Sequence, residues 1–286
     1  MTVSPDPSPQ PKVDQPLRLR RLLPAGEPAT VAEIVEGLGL WDRPTLPAER
    51  AGRPRVLLNM VSTADGRASL GGRSAPVSGR ADRELFHGLR APVDAVLVGA
   101  GTARVERYGR IVRDDSRRRL RRERGLAEEP LACIVSTSLA LGADIPLLGD
   151  PSARIAILTS SAASLPASAA RVDYVRARRD GLLDLPAALA ELGERFSVRT
   201  LLCEGGPHLS CQLFAAGLVD ELFLSVSPRL AGGEALRILA GPDLEPPVEL
   251  ELLGALESDS HLFLRYGVSA RDRVSRETTL SSSLAR

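Results

Sequence analysis

The chain has 286 residues, 43% of them hydrophobic, and a formal net charge of +1. That length fits one large α/β domain or two small ones with a sizeable core, and the near-neutral balance argues against a protein that holds nucleic acid or a membrane surface through its global charge. Aromatics make up only 3%, so the core is expected to be built from Leu, Val, Ile and Ala.

In chain order, residues 1–16 are rich in Pro, Ser and Asp and are expected to be a disordered tail. Residues 17–52 carry a short amphipathic piece, "TVAEIVEGLGLW", closed by "DRPTLP", and read as an N-terminal arm packed on the main body with Trp41 as its anchor. Strand and helix patterns then alternate over residues 53–268. "RVLLNMV" (55–61) and "VDAVLVGA" (93–100) are continuous apolar runs, as expected of strands covered on both faces. "LACIVS", "RIAILT", "RVDYVRA" and "RTLLCE" continue the series, and "DELFLSVSP" (220–228) adds a further strand. Helical spacing occupies 80–91, 184–196 and 206–217. "VELELLGALES" and "HLFLRYGV" read as two closing strands, antiparallel to their neighbours. Alternation of this kind implies a mostly parallel mixed sheet with helices on both faces. Residues 269–286 form a polar tail.

Three cysteines, Cys133, Cys203 and Cys211, are an odd number without CxxC spacing, and so suggest neither a disulfide framework nor a zinc site. Each sits in an apolar run and reads as a buried, inert thiol. No apolar run approaches the roughly 18–20 residues needed to span a bilayer, and the N-terminus lacks the apolar middle of a signal peptide. A reducing cytoplasm is the expected setting.

In an open α/β sheet, ligands bind beyond the C-terminal ends of the strands. Three strand ends stand out. "NMVSTADGRASLGGRS" runs into Asp65-Gly66, a strong turn signal. "LVGAGTARVERYGR" places Gly99 and Gly101 where backbone can approach a ligand, with Thr102 able to cap a helix or bond a phosphate. It is not a dinucleotide fingerprint, because the third glycine of GxGxxG would fall at Arg104. "CEGGPHL" closes an apolar strand with Glu204, bends at Gly205 and Gly206, and starts a helix with Pro207 in its first turn. A helix N-terminus so exposed offers N–H groups and partial positive charge to an anion.

Taken together and in this order, the "MVSTADGRAS", "LRAPVDAVLVGAGT" and "EGGPHLSCQLFAAGLVDEL" blocks resemble the reductase domain of bacterial riboflavin biosynthesis, the 5-amino-6-(5-phosphoribosylamino)uracil reductase family, over residues 53–268. The resemblance implies a dihydrofolate reductase-like fold, NADPH as cofactor, a phosphorylated pyrimidine as substrate and a homodimer. The His-x-Glu and Pro-Cys-x-x-Cys signatures of the deaminase domain that precedes this one in many relatives are missing, so deamination is not expected. The "RRLLP" arm and the "YGR" variant resemble stand-alone members. By the same resemblance, Ser74, Arg90, Arg110, Arg113 and Glu204 match substrate positions, with Arg90 holding the phosphate. Ser62, Thr102, Glu106 and Thr137 match cofactor positions, and Gly206 to Gln212 (Gly206, Pro207, His208, Leu209, Ser210, Cys211, Gln212) match the diphosphate-binding turn, flanked by Gly205. Pro76 stands where many relatives have a cofactor-contacting Trp, and Glu106 where they more often have Asp.

The chemistry implied is hydride transfer to C1′ of a ribosylamino group, which converts the sugar to a ribityl chain. A guanidinium suits the phosphate, and the Glu204 carboxylate suits the N–H donors of the heterocycle. Asp65, Glu106 and bound water are the options for the proton. Asp65 also reads as a turn former, and Arg90 as a helix C-terminal arginine. His87 and His261 read as surface or partly packed residues, whereas His208 sits in the cofactor turn. "RDDSRRRLRRERG" (113–125) mixes acids with arginines and lacks interleaved aromatics, which favours a solvated face over a nucleic-acid patch. Two other functions remain open: reduction of another heterocycle such as dihydrofolate, and non-catalytic nucleotide or RNA binding.

Overall fold

A computed structural model describes residues 16–42, 52–142, 145–234 and 236–269. In chain order the elements are β1 (Arg18–Leu23), β2 (Ala25–Thr30), α1 (Val31–Glu36), β3 (Arg55–Thr63), α2 (Arg80–Leu89), β4 (Ala95–Gly99), α3 (Ala100–Val105), α4 (Asp115–Glu123), β5 (Leu131–Val135), β6 (Arg154–Thr159), β7 (Arg171–Arg176), β8 (Arg178–Arg179), β9 (Leu182–Leu183), α5 (Leu185–Phe196), β10 (Thr200–Cys203), α6 (Pro207–Ala215), β11 (Glu221–Ser227), β12 (Leu250–Ser258) and β13 (His261–Val268).

Eleven strands form one sheet in the order β2-β1-β12-β13-β11-β3-β10-β4-β5-β6-β7. From β11 to β7 every pairing is parallel. From β11 outward through β13, β12, β1 and β2 every pairing is antiparallel. The apolar runs fill both faces because alternate residues of each run point oppositely. Val56, Leu58 and Met60 of β3 pack with α5 and α6, while Leu57 shares the other core with Leu89 of α2 and Ala103 of α3. This is the α/β architecture expected from the sequence, with its helices on both faces and its antiparallel closing strands.

The N-terminal arm adds something the pattern did not announce: β1 and β2 extend the sheet. "RLRRLL" has no clean alternation, and Leu19 is its single buried residue. The strand is held by ladder pairing to β12, with Arg20 opposite Glu257 and an ion pair of 3.0 Å between them. Helix α1 is nucleated by a capping box, Thr30 and Glu33, and packs Val31 and Val35 beside Ala81 of α2. Trp41 is buried beneath the Arg124 guanidinium, 5.3 Å from the ring centroid, in agreement with its reading as an anchor. Residues 1–15, 43–51 and 270–286, which contain most of both tails, lie outside the described residues.

The Arg-rich run forms α4 and presents the largely solvated face expected of it, with one exception: Arg121 is only 1% exposed. Its guanidinium donates to the carbonyls of Ala91 at 2.6 Å, Val93 at 2.7 Å and Ala127 at 2.8 Å, fastening α4 to the chain that follows α2. Burial pulls its pKa down to about 10, so it stays charged at neutral pH. Arg117, Arg118, Arg122 and Arg124 are ion-paired with Glu84, Asp115, Glu128 and Glu36 respectively, Arg122 through the Glu128 that also pairs with Arg118. Among the described residues, no helix is long and apolar enough to cross a membrane.

Candidate active site

The three glycine-marked strand ends converge. Strands β3, β10 and β4 are neighbours and parallel, so the segments that follow them leave the sheet at one edge. There they enclose a cleft of about 620 Å³, with Ser74 from the segment after β3, Thr102 and Glu106 after β4, and Glu204 and Gly206 after β10 in its walls. Such a crevice beyond the strand ends is where open α/β sheets bind ligands.

At the base of the cleft lies a buried ionic cluster. Glu204 accepts Arg90 Nε–H and Nη2–H, each at 2.7 Å, one on each carboxylate oxygen. The Tyr108 hydroxyl donates to Glu204 Oε2 as well. Arg90 Nη1 donates to the Ile111 carbonyl at 2.9 Å, and the guanidinium lies 4.1 Å from the centroid of the Phe86 ring. The side chains of Arg90 and Glu204 are 7% and 1% exposed. Burial alone would pull the Arg90 pKa down, but the Glu204 carboxylate more than reverses it, and the group stays cationic. Burial and the Glu204 charge push the Tyr108 phenol well above its ordinary range, so it remains a donor. The bidentate pairing changes the expected division of labour. Arg90 does not stand free to clamp a phosphate; it holds Glu204, and the two line the cleft as one fixed unit.

Beside this cluster is a cradle without side chains. Gly205 has φ +87° and precedes α6, and its carbonyl accepts Gly99 N–H at 2.8 Å. A Cβ on Gly206 would sit 2.6 Å from Thr102 Oγ1. So the β4–α3 and β10–α6 turns meet backbone to backbone, which only glycine at 206 permits. Pro207 occupies the first turn of α6, whose leading N–H groups have no partner within the helix. This is a fitting seat for an anion such as a diphosphate.

The sequence-derived residues divide into those the fold gathers and those it does not. Ser74, Arg90, Gly99, Gly101, Thr102, Glu106, Arg110, Arg113, Glu204, Gly206, Pro207, His208 and Leu209 line the cleft. Glu106 accepts from Ser74 N–H at 2.8 Å and Ser74 Oγ–H at 2.9 Å, joining two of its walls. Arg110 leans toward Ser152, Asp150 and Glu129, and Arg113 is exposed. Ser62 is buried in the ladder with β11. Ser210 turns its hydroxyl to the Gly206 carbonyl, and Cys211 turns its thiol to the Pro242 carbonyl, so neither faces the cleft. Gln212 and Thr137 are exposed and outside the lining. All three cysteines are buried and unpaired, and burial raises the Cys203 pKa to about 12.

Asp65 requires a correction. It does not line the cleft, and its carboxylate accepts from the Thr63 hydroxyl at 2.5 Å and from the N–H groups of Gly232 at 2.7 Å and Ala231 at 3.1 Å. The Thr63 hydroxyl and the Gly232 amide lower its pKa to about 2. It is an anionic clamp between two loops, not a proton donor. Sequence reasoning also missed Tyr108, Phe86, Arg83 and His87, all cleft-lining. Tyr108 sits in "YGR", which was visible only as a variant of the family pattern. Arg83, His87 and Arg90 are spaced i, i+4 and i+7 along α2 and its C-cap, a signal for one helical face.

Comparison with known proteins agrees with this geometry. The RibD C-terminal domain matches residues 54–264. The 2,5-diamino-6-ribosylamino-4(3H)-pyrimidinone 5′-phosphate reductase of Methanothermobacter thermautotrophicus is 26% identical over 227 residues, 76% of this chain and 99% of that protein. The riboflavin biosynthesis protein RibD of Mycobacterium tuberculosis is 30% identical over 194 residues, 67% of this chain but 47% of that protein. A pyrimidine reductase-like protein from Corynebacterium diphtheriae has the same fold, with a TM-score of 0.66 at 24% identity, covering 84% of this chain and 99% of its own. On the extent of the family match alone, the chain belongs to the RibD C-terminal domain family.

Proposed function

We propose that this protein is the NADPH-dependent reductase of riboflavin biosynthesis that converts the ribosyl side chain of 5-amino-6-(5-phosphoribosylamino)uracil to the ribityl form. One observation carries the reading: a buried, fixed carboxylate at Glu204 and a side-chain-free anion seat before α6 open into the same cleft. When bound, the nicotinamide supplies the hydride. The cradle of Gly205, Gly206 and the first turn of α6 would hold its diphosphate, with Thr102 alongside. By the family resemblance Thr137, exposed after β5, would meet the cofactor.

The chain's own residues supply orientation. Arg90 and Tyr108 fix both oxygens of Glu204 from the protein side, so the carboxylate meets the N–H donors of the pyrimidine ring without rotating. Ser74, held by Glu106, borders the ribosyl group. Of the two acids named from the sequence, Glu106 stands in the cleft wall and Asp65 does not, so proton delivery falls to Glu106 or to water bound there. The molecule acts as a homodimer through its antiparallel strands, where Leu250, Leu252, Leu253 and Leu262 are exposed, and sedimentation would report a doubled mass.

The test is NADPH oxidation by the purified chain with three substrates: the phosphoribosylaminouracil, its 2-amino counterpart (the compound in the Methanothermobacter protein's name) and dihydrofolate. Turnover of the phosphoribosylaminouracil supports the reading, and turnover of the 2-amino counterpart alone would keep the reductase but move its substrate. Turnover of dihydrofolate alone overturns it. Because Arg117, Arg118, Arg122 and Arg124 are ion-paired, RNA binding is not carried forward.

A further inference from the structure

Helix α2 has two faces with different neighbours. Asp82, Arg83, Phe86, His87 and the C-cap residue Arg90 line the cleft. Ala81, Leu85 and Gly88 follow one another at i, i+4 and i+7 on the opposite side of the helix. That back face rests on a separate core, to which Leu19 of β1, Val31 and Val35 of α1, and Phe263 of β13 contribute. The N-terminal arm therefore stands directly behind a wall of the cleft. It precedes the stretch that the family match spans, residues 54–264.

The tightest approach is at Gly88. A Cβ there would sit 2.5 Å from Val31 Cγ1 and 3.3 Å from Val35 Cγ2. Glycine inside a helix is unfavourable relative to alanine, and here the packing supplies the reason for it: α1 meets α2 side chain to backbone. Val31 cannot swing aside cheaply, because a β-branched side chain in a helix has one strongly preferred rotamer. Gly88 is also joined to the functional end of α2, since its carbonyl accepts the N–H of Arg90. A second connection runs from the arm through α4. Glu36 of α1 pairs with Arg124 at 3.2 Å, and Trp41 lies beneath the same guanidinium. Arg121 of α4 then donates to the carbonyl of Ala91, the residue after Arg90.

We propose that the N-terminal arm is a positioning element of the active site: Val31 and Val35, seated on Gly88, set how far α2 stands in the cleft, and with it the place at which Arg90 holds Glu204. The inference rests on the reductase reading for the substrate that Glu204 meets, whereas the packing behind α2 is independent of it. Because arm and cleft lie on opposite faces of α2, a methyl added at 88 displaces the helix toward the cleft. The dinucleotide seat is built by other elements, the turns after β4 and β10, and is not displaced with it.

The experiment compares the full chain with Gly88→Ala and with Gly88→Ala/Val31→Ala, in which the obstructing valine is cut back. Four readouts are taken: the NMR resonance of Arg90 Nε–H, the urea midpoint, NADPH affinity by calorimetry, and kcat/KM for the phosphoribosylaminouracil. Gly88→Ala is expected to move the Arg90 resonance and to lower kcat/KM by about tenfold or more. NADPH affinity is expected to stay within about twofold. The added Val31→Ala is expected to return the resonance and most of kcat/KM. A Gly88→Ala protein that loses stability yet keeps the parent's Arg90 resonance and kcat/KM overturns the proposal and leaves the arm a structural extension. So does a fall in kcat/KM that Val31→Ala fails to relieve. If Gly88→Ala does not fold, Val35→Ala replaces the clash by a cavity behind the same helix. It is expected to broaden the Arg90 resonance and lower kcat/KM, and leaving both unmoved overturns the proposal. A displaced Arg90 resonance in a chain that reduces neither pyrimidine keeps the arm's hold on the cluster and removes the reductase reading. Pyrimidine reduction indifferent to these variants does the reverse.

Discussion

Two carboxylates leave the sheet at neighbouring strand ends, Asp65 after β3 and Glu204 after β10, and their surroundings separate their roles. Asp65 is exposed and accepts from the hydroxyl of Thr63, the last residue of β3, and from two backbone amides of the loop after β11. Glu204 is buried and accepts from a guanidinium and a phenol, donors carried by α2 and by the segment after α3. The first arrangement fastens a surface loop to a turn. The second places a rigid anion at the base of a cleft. Proximity to a strand end is therefore not what makes a carboxylate functional in this fold; its donors and burial are.

The comparison can be broken most forcefully at the buried end. Glu204→Ala leaves Arg90 as an uncompensated charge, and removal of one partner of a buried pair costs about 3–5 kcal/mol. Urea unfolding should show a loss of that order together with loss of pyrimidine reduction. A variant that unfolds like the parent would mean that the pair contributes nothing. Next is Tyr108→Phe, which removes one hydrogen bond to a charged acceptor, worth about 1.5–3 kcal/mol. Here kcat/KM should fall by a corresponding factor while dinucleotide affinity holds; an unchanged kcat/KM would remove Tyr108 from the positioning of Glu204.

A third probe separates the cradle from the cluster. Gly206→Ala drives a methyl against Thr102 Oγ1, and overpacking of this kind costs about 1–3 kcal/mol. Calorimetry should show weaker NADPH binding, with part of the loss recovered when Thr102→Ala is added; no recovery would show that the close contact is not what limits affinity. The smallest effect belongs to Asp65→Asn. Because the folded pKa of Asp65, about 2, lies below its ordinary 3.8, its stabilisation is present above 3.8 and lost as pH falls through about 2. The urea midpoint of the Asn variant should vary less with pH across that window, with little change in kcat at neutral pH. A large fall in kcat would return Asp65 to the list of candidate acids.

Much of the fold was legible because its central strands are continuous apolar runs, and "RVLLNMV" can hardly be placed except between two helical layers. β1 and β2 were not, because "RLRRLL" owes its strand form to pairing with β12, a contact more than 200 residues away in sequence that no local pattern encodes. The glycine turns were legible for a physical reason that the structure states as a distance, the closeness of Gly206 to Thr102. The role of Arg90 was not legible, since a helix C-terminal arginine reads alike whether it will meet a phosphate or a buried glutamate. Tyr108 was missed because its hydroxyl matters only through Glu204, 96 residues away in sequence.

The central claim is that the cleft brings a reduced nicotinamide against the ribosyl carbon held beside Glu204. Its most direct test is a reaction of the full chain with NADPH deuterated at the transferable position and the phosphoribosylaminouracil or its 2-amino counterpart, followed by NMR of the product. Deuterium at C1′ of a ribityl chain is the predicted result; undeuterated starting material, recovered after prolonged incubation with folded protein, would contradict it.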